Sequence, residues 1–433
     1  MWGRSEMHRW MRTAVTCGAV FLLAGVAAAY RVEVRKTADG WQLLRDGKPF
    51  YIRGVGGRRY LDLAASAGAN AVRTWSSRHL ERVLDPAEKY GLAVCAGLWM
   101  PQLRHGFDYS DREALERVKK KLLARVNRYK SHPNLLMWIV GNEVVWADMT
   151  NRYAYLAIEE IARAVKEADG NHPVATVVAD IGPGGIKARM IKAYCPSVEI
   201  LGVNSYGGLR TLPERLRAAG WVRPYMVTEF GPPGPWESRR APWGSAVELT
   251  STDKGRYYYQ SYISGVASHT NWSLGAFVFY WGTKGEETPT WFGVFLPGGI
   301  RLAPVDYMQY AWTGRWPANR CPEILYLRSP VALRTTAPGK KVKVIYRIRD
   351  PEGDPLTLRW YLTQEIRKPD PKNPRLTIVT FRNMPSVSIS EEAPGKAWLR
   401  VPSRPGVYRL HLEVRDDAGG GATANFPFKV EAP

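Results

Sequence analysis

The chain has 433 residues, 45% of them hydrophobic and 12% aromatic, enough for one large core and a smaller second one. Its formal net charge is +21, which favours anionic surroundings such as acidic polysaccharide or an anionic envelope; no zinc-finger or RNP pattern points to specific nucleic-acid recognition. Cys17, Cys95, Cys195 and Cys321 form no CxxC pair, which argues against a metal cage or a redox motif, and no cofactor is implied.

Residues 1–29 read as an export leader. Arg4, Arg9 and Arg12 supply a basic start, Thr13–Val26 an apolar run, and Ala27-Ala28-Ala29 a small-residue cleavage site. The apolar run is short for a membrane span, so the remaining chain is expected outside the cytoplasm: secreted, periplasmic or bound to the envelope. An uncleaved anchor is the rival reading. Cys17 lies in the leader, so at most one disulfide can form within the rest. Residues 30–49 read as a hairpin lead-in, with Arg45-Asp46-Gly47-Lys48 as a turn.

From Phe50 the pattern alternates between apolar strands and amphipathic helices. Strands are expected at Phe50–Val55, Ala71–Trp75, Leu92–Trp99, Leu135–Val140, Pro173–Val178, Ile200–Tyr206, Tyr225–Glu229 and Ala276–Trp281. Helices are expected at Tyr60–Gly68, His79–Tyr90, Asp111–Tyr129, Asn151–Asp169, Gly185–Tyr194, Leu212–Ala219, Thr252–Thr270 and Pro304–Trp312. Eight repeats over roughly 265 residues are the size of a (β/α)8 barrel, assigned to 50–316. A doubly wound open sheet is the competitor, but Gly54-Val55-Gly56-Gly57 only approaches the phosphate-binding pattern such a sheet carries. Residues 317–330 read as a proline-bearing linker. Beyond it the period falls to two, at Val342–Ile348, Leu356–Leu362, Leu376–Phe381, Ala397–Val401, Gly406–Val414 and Phe426–Val430. Residues 331–433 are therefore expected to form an immunoglobulin-like β-sandwich. Its role is either carbohydrate binding or spacing; its tryptophans are Trp360 and Trp398. Two acidic turns, Asp350–Asp354 and Asp416–Gly421, have the composition to hold calcium but read as solvated turns.

Two stretches carry the chemistry. Leu135–Val140 runs without polar alternation into Gly141-Asn142-Glu143, as a strand buried on both faces would. Tyr225–Glu229 ends the same way, in Glu229-Phe230-Gly231. Barrel enzymes place their reacting groups at the carboxyl ends of the strands. The fourth and seventh strands lie across the mouth from each other, so two carboxyls can face one sugar. One would stay protonated to release the leaving oxygen and the other ionised to stabilise or attack the anomeric carbon. The bland reading of either glutamate is a surface acid at a loop start. Of the 17 tryptophans, some must be core; others, such as Trp75, Trp99, Trp146, Trp236 and Trp291 at loop positions, suit sugar stacking in an open cleft.

The segments FYIRGVGG, ANAVRTW, MWIVGNE, ILGVNSYGG, PYMVTEFG and FVFYWG resemble the barrel of family-2 glycoside hydrolases, within the retaining (β/α)8 clan. The likeness runs from Phe50 to about Trp316. It implies that Glu143 is the acid/base and Glu229 the nucleophile. It also implies that Arg73 hydrogen-bonds the nucleophile, Asn142 holds the sugar 2-hydroxyl, Tyr206 touches the nucleophile and Trp281 floors the pocket. Family-2 enzymes usually carry sandwich domains ahead of the barrel; here a hairpin stands in their place, which leaves room for a cleft. The function expected is an exported retaining β-glycoside hydrolase acting on a poly- or oligosaccharide. The alternatives are a glucanosyltransferase-like transglycosylase with the same two carboxyls and a non-catalytic glycan-binding envelope protein. No feature fixes the sugar, the linkage or the oligomeric state.

Overall fold

In a computed structural model of the chain, eight parallel strands close into a barrel. The structure describes residues 31–370, 373–384 and 389–432; the leader expected at 1–29, with Cys17, lies outside them. The barrel strands are β1 (Ile52–Gly56), β2 (Ala71–Arg73), β3 (Ala93–Leu98), β4 (Leu135–Asn142), β5 (Val174–Ala179), β6 (Ile200–Asn204), β7 (Tyr225–Phe230) and β8 (Ser273–Val278). Neighbours in sequence are neighbours in space, and β8 pairs with β1 in parallel to complete the ring.

The helices between them are α1 (Leu61–Ser66), α2 (Glu81–Lys89), α3 (Arg112–Tyr129), α4 (Arg152–Ala168), α5 (Ile186–Tyr194), α6 (Leu212–Ala218), α7 (Ser251–Gly265) and α8 (Ala303–Thr313). Each strand expected from the sequence is present within a few residues. All eight residues of β4 are buried, which is why its apolar run shows no alternation. α4 buries Ala154, Tyr155, Ile158, Ile161, Ala162 and Val165, the stripe of a helix with one face on a barrel. The Asp111 and Asn151 side chains accept the N–H groups of Ala114 and Ala154, fixing where α3 and α4 begin.

The lead-in forms a three-stranded antiparallel sheet, Val32–Thr37, Gly40–Arg45 and Lys48–Pro49. It docks on residues that precede β4, β5 and β8. Arg45 donates to Pro133 O, Val32 N to Asn171 O and Trp41 N to Asn271 O. Leu43 joins the apolar cluster that contains Ile52, Ala71, Ala93 and Leu136. The sheet therefore covers the amino-terminal end of the barrel and leaves the opposite mouth open.

The C-terminal strands form two sheets around a second core that includes Val344, Leu399, Leu410, Leu412, Val414 and Phe428. Residues 317–330, expected to be a linker, contain the strand Glu323–Arg328, which pairs antiparallel with Lys341–Arg349. The sandwich also takes in a piece of the barrel. Ile300–Leu302, from the loop after β8, pairs in parallel with Gly420–Val430. Further contacts fasten the loop after β7: Arg409 donates to Ala246 O at 2.8 Å, Asn425 to Glu248 Oε2 at 2.7 Å and Thr423 N to Ser251 Oγ at 2.9 Å. Glu248 is buried with the Lys254 ammonium. The sandwich thus braces a loop at the open mouth of the barrel. Cys95, Cys195 and Cys321 are buried and free. Among the described residues no helix is long and apolar enough to cross a membrane.

Candidate active site

Glu229 lies near the end of β7 and is 6% exposed. Three donors converge on its carboxylate. Arg73 Nη1 reaches Oε1 at 2.8 Å, Trp75 Nε1 reaches the same oxygen at 2.6 Å, and the Tyr206 hydroxyl reaches Oε2 at 2.8 Å. Three hydrogen bonds donated to one carboxyl fix its orientation. Burial first, and then the charge of Glu229, push the Tyr206 hydroxyl well above its ordinary range, so it remains a neutral donor. Arg73 is 1% exposed; it also donates to Thr228 O at 2.8 Å and, through Nη2, to Asn142 Oδ1 at 2.5 Å.

Glu143 follows β4 directly. Its φ of 54° lies in the left-handed region, as does the 72° of Gly141 two residues earlier. Such a φ costs a non-glycine residue roughly 1–2 kcal/mol, and residues held this way cluster at active sites. A Cβ on Gly141 would lie 2.6 Å from Val144 Cγ2, so only glycine allows the chain to turn there. The turn brings the Glu143 carboxyl to the mouth, where Asn204 Nδ2 donates to Oε1 at 2.7 Å and Arg104 Nη1 stands 4.0 Å from Oε2. Asn204 is held in turn by Thr228, whose hydroxyl donates to Asn204 Oδ1 at 2.7 Å. Burial, and after it the charge of Glu229, raise the Glu143 carboxyl above the usual glutamate range; Asn204, Arg104 and Arg73 pull it down without cancelling the rise. One buried carboxyl is thus pushed towards its acid form while the other is held by donors, the division of labour that glycoside cleavage requires.

Glu143, Glu229, Arg73, Asn142 and Tyr206 come together as the resemblance implies. Two expected residues do not line the mouth. Trp281 is fully buried: Nε1 donates to Tyr60 O at 3.1 Å and the ring packs on Phe295 and Trp312. Trp291 is 2% exposed, with Nε1 on Pro233 O at 3.1 Å, and supports Tyr206 and Phe292 from behind. A strand-end position cannot distinguish a ring that turns inward from one that faces the mouth. The aromatic groups at the end of β8 that reach the site are Phe279 and Tyr280, whose ring centroids each lie 5.8 Å from that of Trp75; Phe279 also packs at 5.8 Å on Tyr206. Trp99 and Trp146 remain 38% and 44% exposed after β3 and β4, and Trp236 is 60% exposed after β7.

Sequence reasoning missed Asn204, Arg104 and Phe279, and assigned Trp75 to the cleft rather than to Glu229. Asn204 was within reach, since it ends β6 as Asn142 ends β4. A candidate cation group lies apart from the barrel mouth, in the sandwich. The carboxylate oxygens of Asp350, Asp354 and Asp416 lie within 4.8 Å of one another. Asp350 Oδ1 already accepts the N–H groups of Glu352, Gly353 and Asp354, and Asp416 Oδ1 those of Ala418 and Gly420. These carboxyls close their own turns.

Residues 57–233 match the model of the glycosyl hydrolases family 2 TIM barrel domain. The β-glucuronidase of Chlorocebus aethiops is 25% identical over 217 residues, 44% of this chain and 32% of that protein. The β-glucuronidase of Felis catus is 29% identical over 215 residues, with the same shares. The matches thus span about a third of the length of these relatives. In fold, the barrel is like the β-D-glucuronidase structure from Dictyoglomus thermophilum, with a TM-score of 0.51 at 20% identity, over 66% of this chain and 54% of that one. On a closed ring of eight parallel strands with a glutamate at the end of the fourth and of the seventh, the barrel of this chain is thus similar to the family-2 glycosyl hydrolase barrel over residues 57–233.

Proposed function

We propose that the protein is an exported β-glycoside hydrolase that cleaves a poly- or oligosaccharide with retention of configuration. The observation that carries this reading is the unequal pair: Glu229 under three donors, and Glu143 raised by burial beside its charge. In the first step Glu229 attacks the anomeric carbon. The bond to the glycosidic oxygen breaks, and Glu143 delivers its proton to that oxygen. In the second step water, deprotonated by Glu143, displaces Glu229 and restores the starting state. Arg73 occupies Asn142 Oδ1, which leaves the Asn142 amide N–H groups for the sugar 2-hydroxyl. Phe279 takes the floor position that Trp281 does not occupy. The names of the relatives make a β-glucuronide the first glycone to test. Export rests on the leader, and N-terminal sequencing of the mature protein tests it.

The catalytic reading is tested with 4-nitrophenyl β-glycosides of glucuronate, galacturonate, galactose, glucose and mannose, followed by the 2-fluoro analogue of whichever is cleaved. The trapped sugar should appear as a mass shift on the peptide containing Glu229. A chain that turns over none of these, nor any polysaccharide tried, and takes up no label would be a glycan-binding protein instead. The exposed rings of Trp99, Trp146 and Trp236 also suit acceptor sugars. A transglycosylase would release products longer than its substrate, which mass spectrometry resolves.

A further inference from the structure

The surroundings of Glu143 carry information about the sugar that leaves. Oε1 of Glu143 accepts from Asn204, so Oε2 is the oxygen free to carry the transferable proton. The leaving sugar must extend past Oε2, because its oxygen receives that proton. Arg104 stands at this point. It belongs to the short helix Leu103–His105 in the loop after β3. Its Nε donates to Gln102 Oε1 at 2.8 Å, and Gln102 is buried and donates to Asn142 O at 2.8 Å. Its guanidinium lies 5.4 Å from the centre of the Trp146 ring and its Nη1 4.0 Å from Glu143 Oε2. The cation is therefore anchored through the residue next to the acid. Its side chain still keeps 30% exposure, and Trp146 keeps 44%.

The carboxylate this arginine meets is the one that must be protonated when substrate binds. In that state Arg104 carries a charge with no ionised partner at 4.0 Å, beside the bond about to break. We propose that Arg104, backed by Trp146, forms the subsite of the leaving sugar and selects one that bears a carboxylate, and that Glu143, once ionised by proton transfer, competes for Arg104 and loosens the departing anion. The substrate class is then an acidic polysaccharide with a uronic acid on the leaving side, in keeping with the charge of +21 on the whole chain. The inference rests on Glu143 acting as the acid.

The test uses two phenyl β-glycosides of the glycone that the wild-type chain cleaves, one with a 4-carboxylate on the leaving phenol and one with the neutral 4-carboxamide. The quantity read is the ratio of kcat/KM for carboxylate over carboxamide. Arg104→Gln should lower this ratio by about tenfold, as loss of a charge-assisted contact would, and Arg104→Lys should restore part of it. The wild-type ratio should also fall as salt rises past about 0.1 M, where charges are screened beyond about 10 Å. A purely structural role for Arg104 would change both substrates equally and leave the ratio and its salt dependence untouched; that result overturns the proposal. A wild-type chain that cleaves no glycoside and takes up no fluoro-sugar overturns the hydrolase reading first, and the subsite with it.

Discussion

Arg73 and Glu229 form a 2.8 Å ion pair in which the two side chains are 1% and 8% exposed, and the other arm of the same guanidinium grips Asn142 beside Glu143. One side chain from β2 thus sets the distance between groups delivered by β4 and β7. Arg73→Lys keeps a charge but loses the planar fork. A hydrogen bond to a charged group contributes about 1.5–3 kcal/mol, so kcat/KM should fall on the order of 10²-fold. Steady-state kinetics on the cleaved 4-nitrophenyl glycoside measures it.

Tyr206→Phe removes the donor on Glu229 Oε2 and little else, since the ring stays packed among Trp236, Phe279 and Phe292. Turnover should fall by about 10–100-fold, the worth of one charge-assisted hydrogen bond. The melting temperature should hold. An unchanged kcat would mean that Glu229 needs no help from this side.

The proposed role of Glu143 as acid requires it to be protonated, and its carboxyl is raised by burial and by Glu229. Activity should therefore fall as pH rises through that raised value, placing the basic limb of the kcat/KM profile above the ordinary glutamate value of 4.5. The Asn204 hydrogen bond lowers this carboxyl, so Asn204→Ala should move the basic limb to higher pH. Glu143→Gln should abolish the limb and spare 2,4-dinitrophenyl glycosides, which leave without a proton, far more than simple phenyl ones. A limb that stays in place in both variants would assign the acid elsewhere.

Lys254, with the hydroxyls of Thr288 and Thr290, meets Glu248 where the barrel loops join the sandwich. Burial alone would raise the Glu248 carboxyl, but Lys254 holds it down to about 2. A carboxyl lowered on folding stabilises the fold above its unfolded value and stops doing so as pH falls. The loss should occur between 4.5 and about 2. Glu248→Ala leaves a buried ammonium unpaired and should cost about 3–5 kcal/mol, read by denaturant unfolding at neutral pH.

Trp281→Ala empties a fully buried site and should cost about 3–5 kcal/mol of stability. Trp236→Ala, at 60% exposure, should cost far less stability and raise KM for long substrates instead. Comparison of melting temperature with KM for an oligosaccharide separates the two roles. If Trp281→Ala changed KM alone, its placement in the core would be wrong.

The sequence by itself determined the eight βα repeats, the sandwich, and the two glutamates at strand ends. Hydrophobic period and glycine turns are local properties, and a barrel strand buried on both faces reads as an unbroken apolar run. Arg73, Asn142 and Tyr206 came from the likeness to family-2 barrels rather than from any local pattern of the chain. Only the tertiary structure decided which aromatic rings face the mouth. Trp281 turned to the core and Phe279 to the site, although they sit two residues apart on one strand end. Only it brought Arg104, Trp75 and Asn204 to the carboxyls, and only it made the expected linker part of a sheet that grips the barrel. Contacts between residues tens to hundreds of positions apart depend on how the ring closes, and no local pattern along the chain encodes that closure.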